Sequence, residues 1–116
     1  MRDDPVQSPI AEAVLQHPSF VSDTVLLETA WLLSSRYRIG RADLAATLQD
    51  VVRLPAVRVS DPDMIDWAIE RFAAGADFAD MIHIIAGRHA DGFVSFESQL
   101  QKQAGPDAPL SIEIPV

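Results

Sequence analysis

The sequence predicts a three-layer α/β/α domain with a short, mainly parallel sheet. The chain has 116 residues, of which 48% are hydrophobic, and this is enough to bury one core without cross-links. Short segments with strand composition alternate with longer segments in which apolar residues recur at helical spacing. Strands separated by helices are typical of βαβ units, whose parallel sheet is covered on both faces. We therefore expect a single domain over residues 1–116.

The first half of the chain contains helical and strand patterns in alternation. Ser8 followed by Pro9 is typical of a helix start, because proline is tolerated at the first helical position. Trp31 stands at helical spacing with neighbouring apolar residues, so we predict it in the core, with an interface as the alternative. The predicted elements are helix 8–15, strand 20–24, helix 26–37, helix 41–54 and strand 56–60.

The second half begins with a clear helix start. Asp61 precedes Pro62, which is a strong signal for an N-terminus, and Gly75 is a suitable end for the same helix. Beyond Gly75 the apolar spacing predicts a further helix and then a strand with aromatic residues. The predicted elements after Gly75 are helix 77–90, strand 92–96, helix 98–104 and strand 110–114.

Composition excludes several classes of protein. There is no cysteine, which excludes disulfides, thiolate catalysis and cysteine-based zinc sites and favours a reducing cytoplasm. No apolar run approaches the roughly 18 residues of a membrane span, and the N-terminus has no secretory apolar segment. The formal net charge of −8 excludes a module that coats nucleic acid through phosphate contacts alone. An acidic surface is compatible with a metal-dependent site or with a basic partner.

Four carboxylates are candidates for a site. Asp77 and Asp80 stand three residues apart at the start of an apolar helix, a spacing that places them on one face. Glu97 follows a predicted strand, and Glu28 lies in what we predict to be the opening turn of a helix after the first strand. Open α/β folds hold ligands at the carboxyl ends of their strands. Carboxylates without matched His or Cys favour Mg²⁺ or Mn²⁺ over zinc.

A structural interpretation competes with the metal site. Asp77 is a good N-cap, Asp80 is then the acidic partner of a capping box, and Glu28 and Glu97 can stabilise helix starts. The chain would then be a small acidic domain with no site. The other charged groups also have structural explanations. We interpret His83 and His89 as packing or surface residues. Arg36, Arg38 and Arg41 lie near a helix C-terminus, where they complement the helix dipole, and RNA contact is the alternative for these arginines.

Three segments together resemble a known family. They are Ser22 to Trp31, Ala76 to His83 and Phe93 to Glu97, and in order and interval they resemble the PIN-domain ribonucleases, specifically the VapC-type toxins of toxin–antitoxin pairs. The resemblance implies a three-layer α/β/α fold and RNA cleavage with Mg²⁺ or Mn²⁺ held by carboxylates. It implies an antitoxin partner, an RNA substrate and, as a further expectation, a homodimer.

The resemblance assigns roles to the same four acids. Glu28 matches the family's glutamate after the second strand, and Asp80 matches the aspartate that opens the helix before the fourth strand. Asp77 is an accessory acid in many relatives. Glu97 stands where the family usually has aspartate, so its side chain is one methylene longer than the family's. Catalysis is thus expected from Glu28 and Asp80, and metal binding from all four.

The front of the chain departs from the family pattern. Family members begin with a central strand that carries an Asp-Thr-Asn-like aspartate, whereas this sequence opens with Met1-Arg2-Asp3-Asp4-Pro5, which resembles their next segment. We expect the strand with which family members begin, and its aspartate, to be missing from this chain. We therefore expect metal-dependent hydrolysis of RNA to be impaired. A misassigned start codon, a truncated gene and a domain completed by another chain all remain open. The alternative function is a non-catalytic remnant that binds an antitoxin or another PIN subunit.

Overall fold

The structure is a computed structural model, and it describes residues 19–95, 97 and 99–113. The predicted helix over residues 8–15 lies outside the described residues. Helices and strands are both present and the strands pair in parallel, which confirms a mixed α/β protein. The helices are α1 (Asp23–Arg36), α2 (Arg41–Val52), α3 (Pro62–Ala73), α4 (Phe78–Ala86) and α5 (Leu100–Ala104). The strands are β1 (Ser19–Phe20), β2 (Val57–Arg58), β3 (Phe93–Val94) and β4 (Ile112–Glu113).

The chain divides into two compact units with the boundary between Pro62 and Asp63. The first unit contains β1, α1, α2 and β2, and the second contains α3 after its first residue, α4, β3, α5 and β4. Each unit has its own pair of parallel strands, β1 with β2 and β3 with β4. The three-layer arrangement with one sheet remains a prediction.

The strand pair of the first unit is short because a helix begins soon after β1. Ser19 lies opposite Val57, and the Val21 amide donates to the Arg58 carbonyl at 2.8 Å. The Ser22 side chain then accepts the Val25 amide at 3.2 Å and caps α1. The predicted strand 20–24 is therefore wrong beyond Phe20, because a serine N-cap satisfies an amide that a strand would leave for another partner.

Helices α1 and α2 pack against each other in the first unit. Trp31 is 66% exposed, so the prediction that it belongs to the core is wrong. Each helical residue is rotated by about 100° from the previous one, and Trp31 is therefore turned away from the side that Ala30 buries. The buried residues of the two helices are Leu26, Ala30 and Leu33 of α1 and Leu44, Ala45, Thr47, Leu48 and Val51 of α2.

The second unit begins with the helix start that the sequence predicts. Proline is the first residue of α3, and Gly75, at a φ of 120°, lies in the turn beyond its end. The rings of Phe72 and Phe78 then meet edge to face at 5.7 Å across this turn. Helix α4 ends at Ala86, short of the predicted residue 90, because the Gly87 amide donates back to His83 and Ile84 and closes the last turn.

The C-terminal part of the second unit is tied to α3 by an arginine. The Arg71 Nε donates to the Gln103 carbonyl at 2.6 Å, near the end of α5. Gly105 follows at a φ of 77°, and a Cβ there would lie 3.0 Å from the Arg71 guanidinium carbon. In the second strand pair Phe93 lies opposite Ile112. Against the predicted ranges 92–96, 98–104 and 110–114, β3 begins at Phe93, α5 begins at Leu100 and β4 begins at Ile112. Residues 96, 98 and 114 of these predicted ranges lie outside the described residues.

The longest helix of the described residues is α1, with 14 residues. In residues 19–95, 97 and 99–113, no helix is both long enough and apolar enough to cross a bilayer.

Candidate functional site

Asp77 is the N-cap of α4. Its backbone is extended, with φ −73° and ψ 127°, and its Oδ1 accepts the backbone amide of Asp80 at 3.1 Å. This bond satisfies one of the amides that have no partner inside the helix, and the carboxylate lies at the positive end of the helix dipole. The capping role predicted for Asp77 is confirmed.

Asp80 lies in the first turn of α4 and is half-buried. Burial raises the pKa of its carboxyl above the ordinary value of 3.8, since loss of water disfavours the charged form. The negative charge of Asp77 raises this pKa further, the nearby His83 lowers it, and the charge of Glu97 raises it again. The charges of Asp77, His83 and Glu97 therefore all act on the carboxyl group of Asp80.

Glu97 lies in the connection between β3 and α5 and is exposed. Its amide donates to the Ser95 hydroxyl at 3.0 Å, and its Oε1 accepts the Gln99 amide at 3.0 Å. The strand ends at Val94, so Glu97 follows the strand at a short distance and precedes the first residue of α5. Its interaction with Asp80 joins two segments of the second unit that are far apart in sequence.

Glu28 belongs to the first unit and is exposed. Helix α1 begins at Asp23, so Glu28 lies in the second turn and not in the opening turn that the sequence predicted. Val25 precedes it by three residues and Leu32 follows it by four, and both of these apolar side chains are also exposed. With Trp31, three of its four neighbours at helical spacing are thus exposed apolar groups, and the fourth is Thr24.

The structure brings together three of the four predicted site residues. Asp77, Asp80 and Glu97 interact electrostatically in the second unit, whereas Glu28 lies in the first unit. Across residues 19–95, 97 and 99–113, no group of three or more His, Cys, Asp or Glu residues has an arrangement that could hold a metal ion. A closed metal cage built from protein side chains does not fit these residues.

Carboxylate oxygens are also the donors that a hydrated cation uses. Mg²⁺ is commonly held by one or two carboxylates together with water and substrate phosphates. A carboxylate that is repelled by two neighbouring carboxylates, as Asp80 is, would be stabilised in its charged form by a bound cation. Asp80 is the group best suited to this role, because one oxygen of Asp77 and one oxygen of Glu97 already accept backbone amides.

His83 is a member of this cluster that the sequence interpretation treated only as a packing or surface residue. It is exposed, as that interpretation allowed, but its charge lowers the pKa of Asp80. The spacing of three residues between Asp80 and His83 on one helix was the signal that could have identified it.

The basic residues near the end of α1 are all exposed. Arg36 lies in the last turn of α1, where it complements the negative end of the helix dipole, as predicted. Arg38 adopts a positive φ of 54° after the helix, and Arg41 already begins α2. The dipole argument therefore holds for Arg36 and fails for Arg41, and RNA contact remains a prediction.

Comparisons of the whole sequence with models of protein families, with curated proteins and with solved structures gave no match.

Proposed function

We propose that this protein is a cytoplasmic PIN-type endoribonuclease of the VapC kind, which hydrolyses RNA phosphodiesters weakly with Mg²⁺ or Mn²⁺. The observation that carries the proposal is the electrostatic cluster of Asp77, Asp80 and Glu97 at the start of α4. These acids come from segments that resemble the family's metal-binding segments. Two capping acids alone would not account for the effect of the Glu97 charge on the pKa of Asp80.

The three acids of the cluster have different roles in this proposal. Asp80 offers its carboxylate oxygens to the cation, and Glu97 offers the oxygen that does not accept the Gln99 amide. Asp77 holds the helix start and adds negative charge. When bound, the metal supplies an activated water and neutralises developing charge on the phosphate. A cation also allows RNA to approach a protein whose net charge is −8.

The first experiment measures metal binding by thermal unfolding. A ligand that binds only the folded state stabilises it by mass action, so millimolar Mn²⁺ should raise the unfolding midpoint. Asp80→Asn should abolish this shift. Asp63→Asn is the matched control, since Asp63 is an exposed acid in the first turn of α3 outside the cluster. An equal shift in both variants would contradict binding at Asp80.

The second experiment measures cleavage of RNA in the presence of Mn²⁺. The wild-type chain and Asp63→Asn should cleave slowly, and Asp80→Asn should not cleave above background. Cleavage that survives in Asp80→Asn would come from another site or another protein and would contradict the assignment.

A second candidate function, a non-catalytic module that binds an antitoxin or another PIN subunit, is favoured by a different observation. Val25, Trp31 and Leu32 of α1 are 49%, 66% and 41% exposed. Scattered exposed apolar residues are ordinary, but a group on one helix is typical of an interaction surface. The mass of the purified protein in solution tests this function. A monomer at every concentration, with no effect of a cognate antitoxin, would contradict it.

A further inference from the structure

His83 lies beside Asp80 on the outer side of α4. The interval of three residues corresponds to a rotation of about 60° and a rise of about 4.5 Å, which makes the two side chains neighbours on the helix surface. His83 is exposed and Asp80 is half-buried, whereas Met81 and Ile82 between them are buried. The helix therefore presents a carboxylate and an imidazole side by side.

The backbone of both residues is fixed by hydrogen bonds at the two ends of α4. The Asp80 amide donates to Asp77 Oδ1 at 3.1 Å, and the His83 carbonyl accepts the Gly87 amide at 3.2 Å. On the inner side of the helix, Ile84 is 0% exposed and anchors α4 in the core. The separation of the carboxylate from the imidazole is therefore set by the helix before any ligand binds.

A carboxylate and a histidine three residues apart on one helix can bind the same metal ion. The Glu-x-x-His motif of di-iron and di-manganese carboxylate proteins uses this interval. Asp80 and His83 have the same interval with the shorter acid. Two protein ligands, with water in the other coordination positions, do not require the larger group of acids and histidines that the described part of the chain lacks.

A nitrogen donor changes which cation the site prefers. Mg²⁺ takes oxygen ligands, whereas imidazole suits transition metals, and the affinity of a mixed site rises from Mn²⁺ through Co²⁺ to Ni²⁺. The charge of His83 also lowers the pKa of Asp80, so the two side chains interact. A histidine that acted on Asp80 only through its charge would not distinguish between cations of equal charge.

We propose that His83 is a ligand of the cation held at Asp80 and that its imidazole makes this site prefer Mn²⁺ and the later transition metals to Mg²⁺. This inference rests on the metal-dependent function proposed above and specifies the metal of that site. It also gives a role to a side chain that the carboxylate site proposed from the sequence does not include.

Calorimetric titration of the untagged protein with Mg²⁺, Mn²⁺ and Ni²⁺ in turn measures the dissociation constant of each ion. The wild type should bind Mn²⁺ about tenfold or more tightly than Mg²⁺, and Ni²⁺ more tightly still. His83→Ala should weaken Mn²⁺ binding about tenfold or more and change Mg²⁺ binding less than about twofold. His89→Ala is the matched control and should change neither constant, since His89 is an exposed histidine beyond the end of α4.

A second variant separates metal ligation from charge. His83→Lys keeps a positive group on the helix, but a protonated ammonium has no lone pair to offer a metal. The ratio of the Mg²⁺ to the Mn²⁺ dissociation constant should therefore fall in His83→Lys as it does in His83→Ala. A ratio that returns to the wild-type value in His83→Lys would overturn ligation by His83. Circular dichroism checks that each variant is folded.

The outcomes distinguish this inference from the proposed ribonuclease function. Equal affinity of the wild type for Mn²⁺ and Mg²⁺, or a preference that persists in His83→Ala, would overturn the role of His83 and leave RNA cleavage intact. Selective Mn²⁺ binding through His83, in a protein that does not cleave RNA with Mn²⁺, would support the role of His83 and contradict the ribonuclease. A wild type that binds none of the three ions would overturn both.

Discussion

Helices α1 and α4 are both rich in apolar residues and both carry a candidate acid, yet they bury their side chains very differently. In α4 the large apolar residues are all buried, from Phe78 to Ile85. In α1 only Leu26, Ala30 and Leu33 are buried, while Val25 and Trp31 remain exposed. Apolar composition alone therefore does not tell which helix is a core helix.

The candidate acids of the two helices also differ in their surroundings. Asp77 and Asp80 lie at the first turn of α4, where one caps the helix and the other is half-buried and repelled by its neighbours. Glu28 lies within an exposed apolar row of α1. The first arrangement is typical of a site that attracts a cation, whereas the second is typical of a surface that pairs with another protein.

The largest expected effect comes from removing a core side chain of α4. Ile84 is 0% exposed, and Ile84→Ala should lower the free energy of unfolding by about 3 kcal/mol, since it removes buried methyl groups and leaves a cavity. Trp31→Ala, although a larger truncation, should change it by less than about 0.5 kcal/mol. Urea unfolding followed by circular dichroism measures both. Equal losses would show that Trp31 is buried in the folded protein.

The next largest expected effect on stability comes from removing the side chain that caps a helix. Asp77→Ala should lower the free energy of unfolding by about 1 kcal/mol, because the Asp80 amide loses its acceptor. Asp77→Asn keeps an acceptor and should cost much less. Ser22→Ala should behave as Asp77→Ala does, since Ser22 caps α1 in the same manner. If Asp77→Asn lowers the free energy of unfolding as much as Asp77→Ala does, then the negative charge of Asp77 stabilises α4 and its capping hydrogen bond does not.

The smallest effect is the pH dependence from Asp80. Its pKa is raised in the folded state, so the folded protein favours the protonated carboxyl and loses that advantage as the pH rises through the folded pKa. Asp80→Asn should therefore raise the unfolding midpoint at pH 7. The difference should shrink as the pH falls toward 3.8 and below. Thermal unfolding from pH 3 to pH 7 measures this, and a difference that grows at low pH would contradict the raised pKa.

The positions of helix starts were the most predictable part of the fold. The start of α3 at Pro62 and the cap of α4 at Asp77 follow from side chains that act within a few residues of themselves. The start of α1 was missed because Ser22 suits both a strand and a cap. The end of α4 was placed too late, although Gly87 was present as a stop signal.

The candidate site was predictable in part for the same reason. Asp77 and Asp80 are close because they lie on one helix, and the sequence shows that directly. The effect of the Glu97 charge on the pKa of Asp80 joins two segments that are distant in sequence, and no local pattern specifies it. The contribution of His83 was visible in its spacing from Asp80.

By itself the sequence determined a mixed α/β protein, the starts of α2, α3 and α4 and the acidic first turn of α4, since these depend on short-range hydrogen bonds and on residue spacing. The tertiary structure alone decided that the charge of Glu97 acts on Asp80 and that α1 keeps exposed apolar side chains. Burial depends on which elements pack together, and such packing joins residues that are distant in the chain.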